Sequence, residues 1–192
     1  MFNAKQFISK YTKLQYLDFV PEIKLFLRED DMLKSFLKQE GIDSYPSWAY
    51  SWVGGQALAR YILDHDIVKD KIVLDYCSGG GIVGIAAKMA GAKEVICVDN
   101  DPLSFEAVAL NAKANGVEVM TSIDCRETDI MLAGDPALQQ PIFNLLKSKN
   151  AIIGCPIRRS ELLNDFVSLK TYEIPTFKYI DAVDRHITHI FR

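Results

Sequence analysis

Hydrophobic positions change period once along this chain, near residue 70. Before it they recur at spacings of three and four. Phe7, Tyr11 and Leu14 lie about one turn apart, and Ile23, Phe26, Leu27, Met32, Leu33, Phe36 and Leu37 form a longer, broken stripe. That is the pattern of amphipathic helices. Pro21 suits a first helical turn and Gly41 a helix stop, so residues 5–40 are expected to be helical. Asp43-Ser44-Tyr45-Pro46-Ser47 marks a loop. A helix from about Gly55 to Leu63 then presents Leu58, Ala59 and Ile62 to a core.

From Lys71 short apolar runs alternate with helical ones. Strands are expected at Ile72–Leu74, Val95–Val98, Val117–Ile123, Ile130–Ala133 and Ala151–Ile153. Helices are expected at Ile82–Ala90, stopped by Gly91, at Leu103–Ala114, closed by Asn115-Gly116, and from about Pro141 to Lys147. Uninterrupted apolar strands alternating with helices predict an α/β protein with a parallel sheet covered on both faces. In the tail, Tyr172–Thr176, Phe177–Ile180 and His186–Phe191 suit an antiparallel hairpin at the sheet edge.

The chain has 192 residues, 49% apolar and 24% charged, with a net charge of −3. This is the profile of one ordinary globular domain, with no reason to expect nucleic acid or an anionic membrane as the main partner. The start, Met1 to Gln6, lacks the plan of a secretion signal. Cysteines stand alone at 77, 97, 125 and 155, without metal-ligand spacing, so reduced, mostly buried thiols in a cytoplasmic protein are expected. His186 and His189, three apart on a strand, face opposite sides and share no metal; they are expected on the surface of an edge strand. His65 has no evident partner.

The chemistry concentrates after the first central strand, in Val73-Leu74-Asp75-Tyr76-Cys77-Ser78-Gly79-Gly80-Gly81-Ile82-Val83-Gly84. Its glycines spell G-x-G-x-x-G, and Asp99 follows about twenty residues on, which is the dinucleotide fingerprint. A second registration accounts for more residues. S-adenosylmethionine (SAM) methyltransferases carry D-x-G-x-G-x-G, here Asp75, Cys77, Gly79 and Gly81, with Ser78 in the same turn. A carboxylate at Asp75 would repel a pyrophosphate but suits a sulfonium. Val98-Asp99-Asn100-Asp101-Pro102, then Leu110-Asn111 and Asn115-Gly116, fit the same pattern. SAM is therefore the expected cofactor and a nicotinamide dinucleotide the alternative.

The chain resembles the electron-transfer-flavoprotein beta-subunit lysine methyltransferases. The resemblance is carried by Val20 to Leu25, Trp48-Ala49, Trp52 to Tyr61, the glycine turn, Asp99 to Pro102, Leu132 to Asp135, Ile153 to Arg158 and Tyr172 to Thr176. It implies a Rossmann-like, seven-stranded methyltransferase fold spanning 47–192, with a helical extension over 1–46 covering the cofactor. It also implies a protein-lysine N-methyltransferase acting on a protein substrate. By the same resemblance Trp52 lies near the cofactor, Asp99 holds the ribose hydroxyls, Asn100 lies beside it and Asp124 meets the adenine amino group. Plain packing for Trp52 and a solvated loop for Asp124 remain open.

Three departures stand out. Cys77 replaces the first motif glycine. The tyrosine and glutamate that the family places after its Gly-Asp pair are missing from Gly134-Asp135-Pro136-Ala137-Leu138-Gln139, and the loop Cys125–Thr128 is short. Asp135 is the expected orienting acid for the acceptor; capping of the next helix through Pro136 is the competing role. A degenerate SAM-binding relative without efficient transfer is the alternative function. Arg158-Arg159 and Lys147-Lys149 read as solvated faces.

Overall fold

The computed structural model describes residues 2–29, 32–136, 140–147, 149–156, 163–175 and 185–192. The expected strands at Phe177–Ile180 and the pair Arg158-Arg159 lie outside these residues. In chain order the elements are α1 (Ala4–Tyr11), β1 (Lys13–Leu17), β2 (Val20–Leu27), α2 (Leu33–Gln39), a 3-10 turn at Ser47–Ala49, α3 (Val53–Asp64), β3 (Ile72–Tyr76), α4 (Ile82–Met89), β4 (Glu94–Val98), α5 (Pro102–Ala114), β5 (Met120–Ser122), β6 (Ile130–Gly134), α6 (Gln140–Lys147), β7 (Ala151–Pro156), β8 (Ser168–Pro175) and β9 (Arg185–Phe191).

Seven strands form one sheet in the order β5-β4-β3-β6-β7-β9-β8. The five from β5 to β7 are parallel, and β9 and β8 close the sheet as an antiparallel pair. After β3 the chain winds outward through β4 and β5, then returns to β6 on the other side of β3. The order thus reverses between β3 and β6, the place where open α/β sheets leave a crevice beyond their strand ends. One face is packed by α3, α4, α5 and β2, through Leu58, Ile62, Ile85, Val108 and Leu25 among others. The other face carries Leu74, Ile96, Met131 and Ile153 against Leu146 of α6.

The N-terminal expectation is overturned in part. Between α1 and α2 lies a β-hairpin, β1 paired antiparallel with β2. Ile23, Leu25 and Leu27 are buried at period two, and Pro21 is an exposed strand residue rather than a helix opener. The outer backbone of β2 is satisfied by side chains. Asn115 accepts from the Lys24 N–H (3.0 Å) and donates to the Lys24 carbonyl (2.7 Å), while Asn111 accepts from the Phe26 N–H (2.7 Å). Two amides of α5 thus act as the missing neighbouring strand.

The connection from β5 to β6 is residues 123–129, shorter than the dozen or more residues of an ordinary parallel crossover and without its helix. It is pinned where it meets β6: Asp129 accepts from the Ile72 N–H through its carboxylate (2.8 Å) and donates to the Ile72 carbonyl (3.0 Å). Two histidine expectations need correction. β9 lies inside the sheet and His186 is buried, while His189 meets the Thr171 hydroxyl at 2.9 Å. His65 is partnered too, its Nδ1 lying 2.8 Å from the Tyr61 carbonyl and its ring stacked on Tyr61. None of the four cysteines is in a disulfide; Cys97 and Cys155 are buried, Cys77 is half-buried and Cys125 is exposed.

Candidate active site

The turn after β3 is built from left-handed backbone. Cys77, Gly79 and Gly81 have φ of 57°, 51° and 80°. Glycine takes this conformation freely, whereas a side chain there costs about 1 kcal/mol or more. Cys77 therefore carries strain at the position where the motif has a glycine. The turn is held by the Ser78 N–H on the Val98 carbonyl (3.0 Å), the Gly81 N–H on the Ser78 carbonyl (2.7 Å), and the Gly79 N–H on Asp99 Oδ2 (2.8 Å). A Cβ on Gly80 would stand 2.6 Å from the Trp48 carbonyl oxygen, so that residue has no room for a side chain.

Asp99 follows β4 directly, and its Oδ1 accepts from the Asp101 N–H at 3.0 Å. Asp101 in turn caps α5 by accepting from Leu103 N–H (2.9 Å), with Pro102 opening the helix. The run Asp99 to Pro102 thus does two jobs, gripping the glycine turn and starting a helix. Asp75 is 1% exposed, and its Oδ2 accepts from the Gly84 N–H in the first turn of α4 (2.9 Å). Burial chiefly pushes its carboxyl up to about 7, and nearby Asp99 adds to the effect. Cys97 Sγ lies 3.9 Å from the same oxygen, and burial first, then Asp75, holds that thiol well above its ordinary range.

Asp135, at the end of β6, is a second strained residue, with φ 57°. Its N–H donates to the Gly154 carbonyl (2.8 Å), and its Oδ2 makes a short bond to the Gly54 N–H at the start of α3. It caps α3, an earlier helix than the one expected from Pro136. Above the turn, residues 44–52 form a roof. Ser44 Oγ donates to Asp101 Oδ2 (3.0 Å), and Trp52 Nε1 donates to the Ser47 carbonyl (3.0 Å). Tyr45, Tyr50 and Trp52 stack in sequence at 5.4 and 5.2 Å, and the Arg28 guanidinium lies 4.1 Å from the centre of Tyr50.

These parts enclose a cavity of about 610 Å³ at the crevice between β3 and β6. Of the residues expected from sequence, Trp52, Asp75, Cys77, Ser78, Gly79, Asn100, Asp99 and Asp135 line it. Gly81 shapes the turn from just behind it. Asp124 does not line it: its neighbours Ile123 and Cys125 do, while Asp124 is exposed, its N–H bonded to Ser122 Oγ. Sequence reasoning missed Tyr45, Tyr50, Ile123, Cys125 and Ile142. The signal for the first two was the aromatic density of Tyr45 to Trp52, which turn residues masked. Three aspartates line the cavity and, among the described residues, no lysine, arginine or histidine does.

Residues 56–148 match the family model for ribosomal protein L11 methyltransferase (PrmA). The chain is 52% identical over 75 residues to the electron transfer flavoprotein beta subunit lysine methyltransferase of Rattus norvegicus, a match covering 38% of this chain and 29% of that protein. It shares its fold with the ribosomal protein L11 methylase of Lactobacillus delbrueckii subsp. bulgaricus, at a TM-score of 0.53 and 19% identity over 74% of this chain and 80% of that one. The chain has the α/β fold of the class I SAM-dependent methyltransferases and is similar to them in sequence over its central part. A further fold relative, the Pyrococcus abyssi tRNA (uracil-54, C5)-methyltransferase solved with S-adenosyl-L-homocysteine, superposes at TM-score 0.54 and 15% identity over 72% of this chain and 38% of that one. The chain spans about a third of the length of the curated relatives it matches.

The residues present fit SAM. Ser78 Oγ is buried with no protein partner and belongs to the cavity wall, a polar group that a bound ligand would satisfy. Asp99 retains lone pairs on both oxygens for ribose hydroxyls. A dinucleotide fits less well, because the start of α4, where a pyrophosphate would sit, already holds the Asp75 carboxyl.

Proposed function

We propose that this protein transfers a methyl group from SAM to a lysine side chain of a protein substrate. The observation that carries the reading is the cavity's charge: three aspartates and, among the described residues, no basic lining. Such a wall favours a sulfonium and an amine over phosphates and carboxylates. The similarity to lysine methyltransferases supports the amine as acceptor.

The glycine turn and Asp99 would hold the methionine and ribose parts of the cofactor, which supplies a methyl group on a positively charged sulfur. The chain's own work is alignment, because an in-line displacement needs the amine nitrogen about 3–3.5 Å from the methyl carbon. A lysine amine attacks only when neutral. Asp135 orients that amine and draws on one of its protons, and water carries the proton away. Its pinned backbone and its bond to Gly54 fix the carboxylate before substrate arrives. The roof of Tyr45, Tyr50 and Trp52 limits access of water to the cavity.

The test is incubation of the full chain with methyl-labelled SAM and a cell extract, followed by acid hydrolysis of labelled bands. Labelled methyl-lysine in a discrete protein band is the expected result. Label in RNA alone, or none in the presence of measured SAM binding, would refute lysine transfer.

A further inference from the structure

On the SAM reading above, we propose that the site grips the cofactor's base by its faces and leaves the exocyclic amine in solvent. Cofactors substituted on that amine therefore bind as well. That reading puts the ribose hydroxyls at Asp99 and the methionine part along the glycine turn. The base and the methionine part leave the ribose ring on opposite sides, so the base lies beyond Asp99, away from the turn. That direction is β5. The Asp99 N–H donates to the Ser122 carbonyl (3.4 Å), and the cavity wall on this side includes Val98, Asn100, Ile123 and Cys125.

This end of the cavity is an open slot. Val98 is buried, whereas Ile123 is 68% exposed and Asn100 and Cys125 are exposed as well. Asp124, between two wall residues, is itself exposed and outside the wall. Ser122 Oγ accepts from the Asp124 N–H and donates to its carbonyl, both at 3.0 Å, which fixes this turn of backbone. The connection from residue 123 to 129 carries no helix that would stand over the slot. The exocyclic amine lies at the end of the base farthest from the glycosidic bond. It therefore points away from Asp99, toward the exposed side chains of Ile123 and Cys125 and toward water. A group added there meets solvent and not packed protein. Apolar contact alone separates ligands that differ by one small group only weakly, whereas a site built to bond an amine rejects the altered ligand strongly.

Calorimetric titration of the full chain with S-adenosyl-L-homocysteine, and with its derivatives methylated or benzylated on the exocyclic amine, tests this. Both derivatives should bind within about tenfold of the parent compound. Ile123→Trp puts a bulkier side chain at an exposed wall position and should weaken the benzyl derivative more than the parent. A loss beyond about tenfold with either derivative in the unaltered protein overturns the proposal. So does an Ile123→Trp protein that does not weaken the benzyl derivative more than the parent, because the base then lies elsewhere. If Ile123→Trp does not fold, the two derivatives alone decide. Failure of the parent compound to bind would overturn the SAM reading itself, a separate result.

Discussion

The two halves of the cavity are built on different principles. The cofactor half, from Asp75 through the glycine turn to Asp99, is held by backbone: each carboxylate accepts from an amide of the turn or of a helix start. The acceptor half, from the roof to Asp135, is held by side chains stacked on one another, with one carboxylate anchored to α3. A backbone cradle reads a constant ligand and leaves little freedom to change. A side-chain wall can be rebuilt residue by residue. The larger departure from the family it resembles lies here, after Gly134-Asp135, while the cofactor half keeps its pattern apart from Cys77.

Substitutions that strike one half should leave the other intact. The largest effect is expected from Asp135→Asn, which keeps an oxygen for the Gly54 N–H but removes the charge; turnover should fall at least about 100-fold while the SAM dissociation constant stays within twofold. Equal losses in both quantities would show that the halves are not separable. Asp99→Ala removes the acceptor of the Gly79 N–H and, on the proposed reading, that of the ribose, a loss of about 1.5–3 kcal/mol. SAM affinity by calorimetry should drop roughly 10- to 100-fold. Gly80→Ala forces a methyl against the Trp48 carbonyl where the roof meets the cradle, so both affinity and melting temperature should fall, by about 1–3 kcal/mol in stability. An unchanged melting temperature would mean that the roof gives way freely. The smallest effect belongs to Asp124→Ala. An exposed residue outside the cavity should change SAM affinity less than twofold, and a tenfold loss would restore its role at the adenine.

The parallel sheet, its helices and the tail hairpin were legible because short apolar strands alternate with capped helices, although β5 is only Met120–Ser122 where Val117–Ile123 was expected; Gly91 and Gly116, both at positive φ, end helices where expected. The cradle was legible because its parts are close in sequence and each glycine or acid has a local reason. The N-terminal hairpin was not. Ile23, Phe26 and Leu27 fit a helical stripe as well as a strand, and what settles the matter is Asn111 and Asn115, far along the chain. Asp124 was expected at the adenine, but the seven-residue connection to β6 brings its neighbours Ile123 and Cys125, not Asp124, to the rim of the cavity. The competing role for Asp135, a cap on the next helix, looked only to its sequence neighbours, yet its partner Gly54 lies 81 residues earlier. Sequence neighbours reveal turns and caps; they say little about bonds closed by the tertiary fold.

The asparagine pair on α5 also carries a consequence for the order of assembly. Asn111 accepts from Phe26 and donates to the Gly80 carbonyl (2.8 Å), so one side chain ties the hairpin to the glycine turn. The strand it completes leaves the ribosome more than eighty residues before its partner does. Of the two partners, the one made first therefore waits exposed until α5 and the turn exist. On heating it should be the first to detach, with the amides of Lys24 and Phe26 exchanging with solvent before those of β3 and β4.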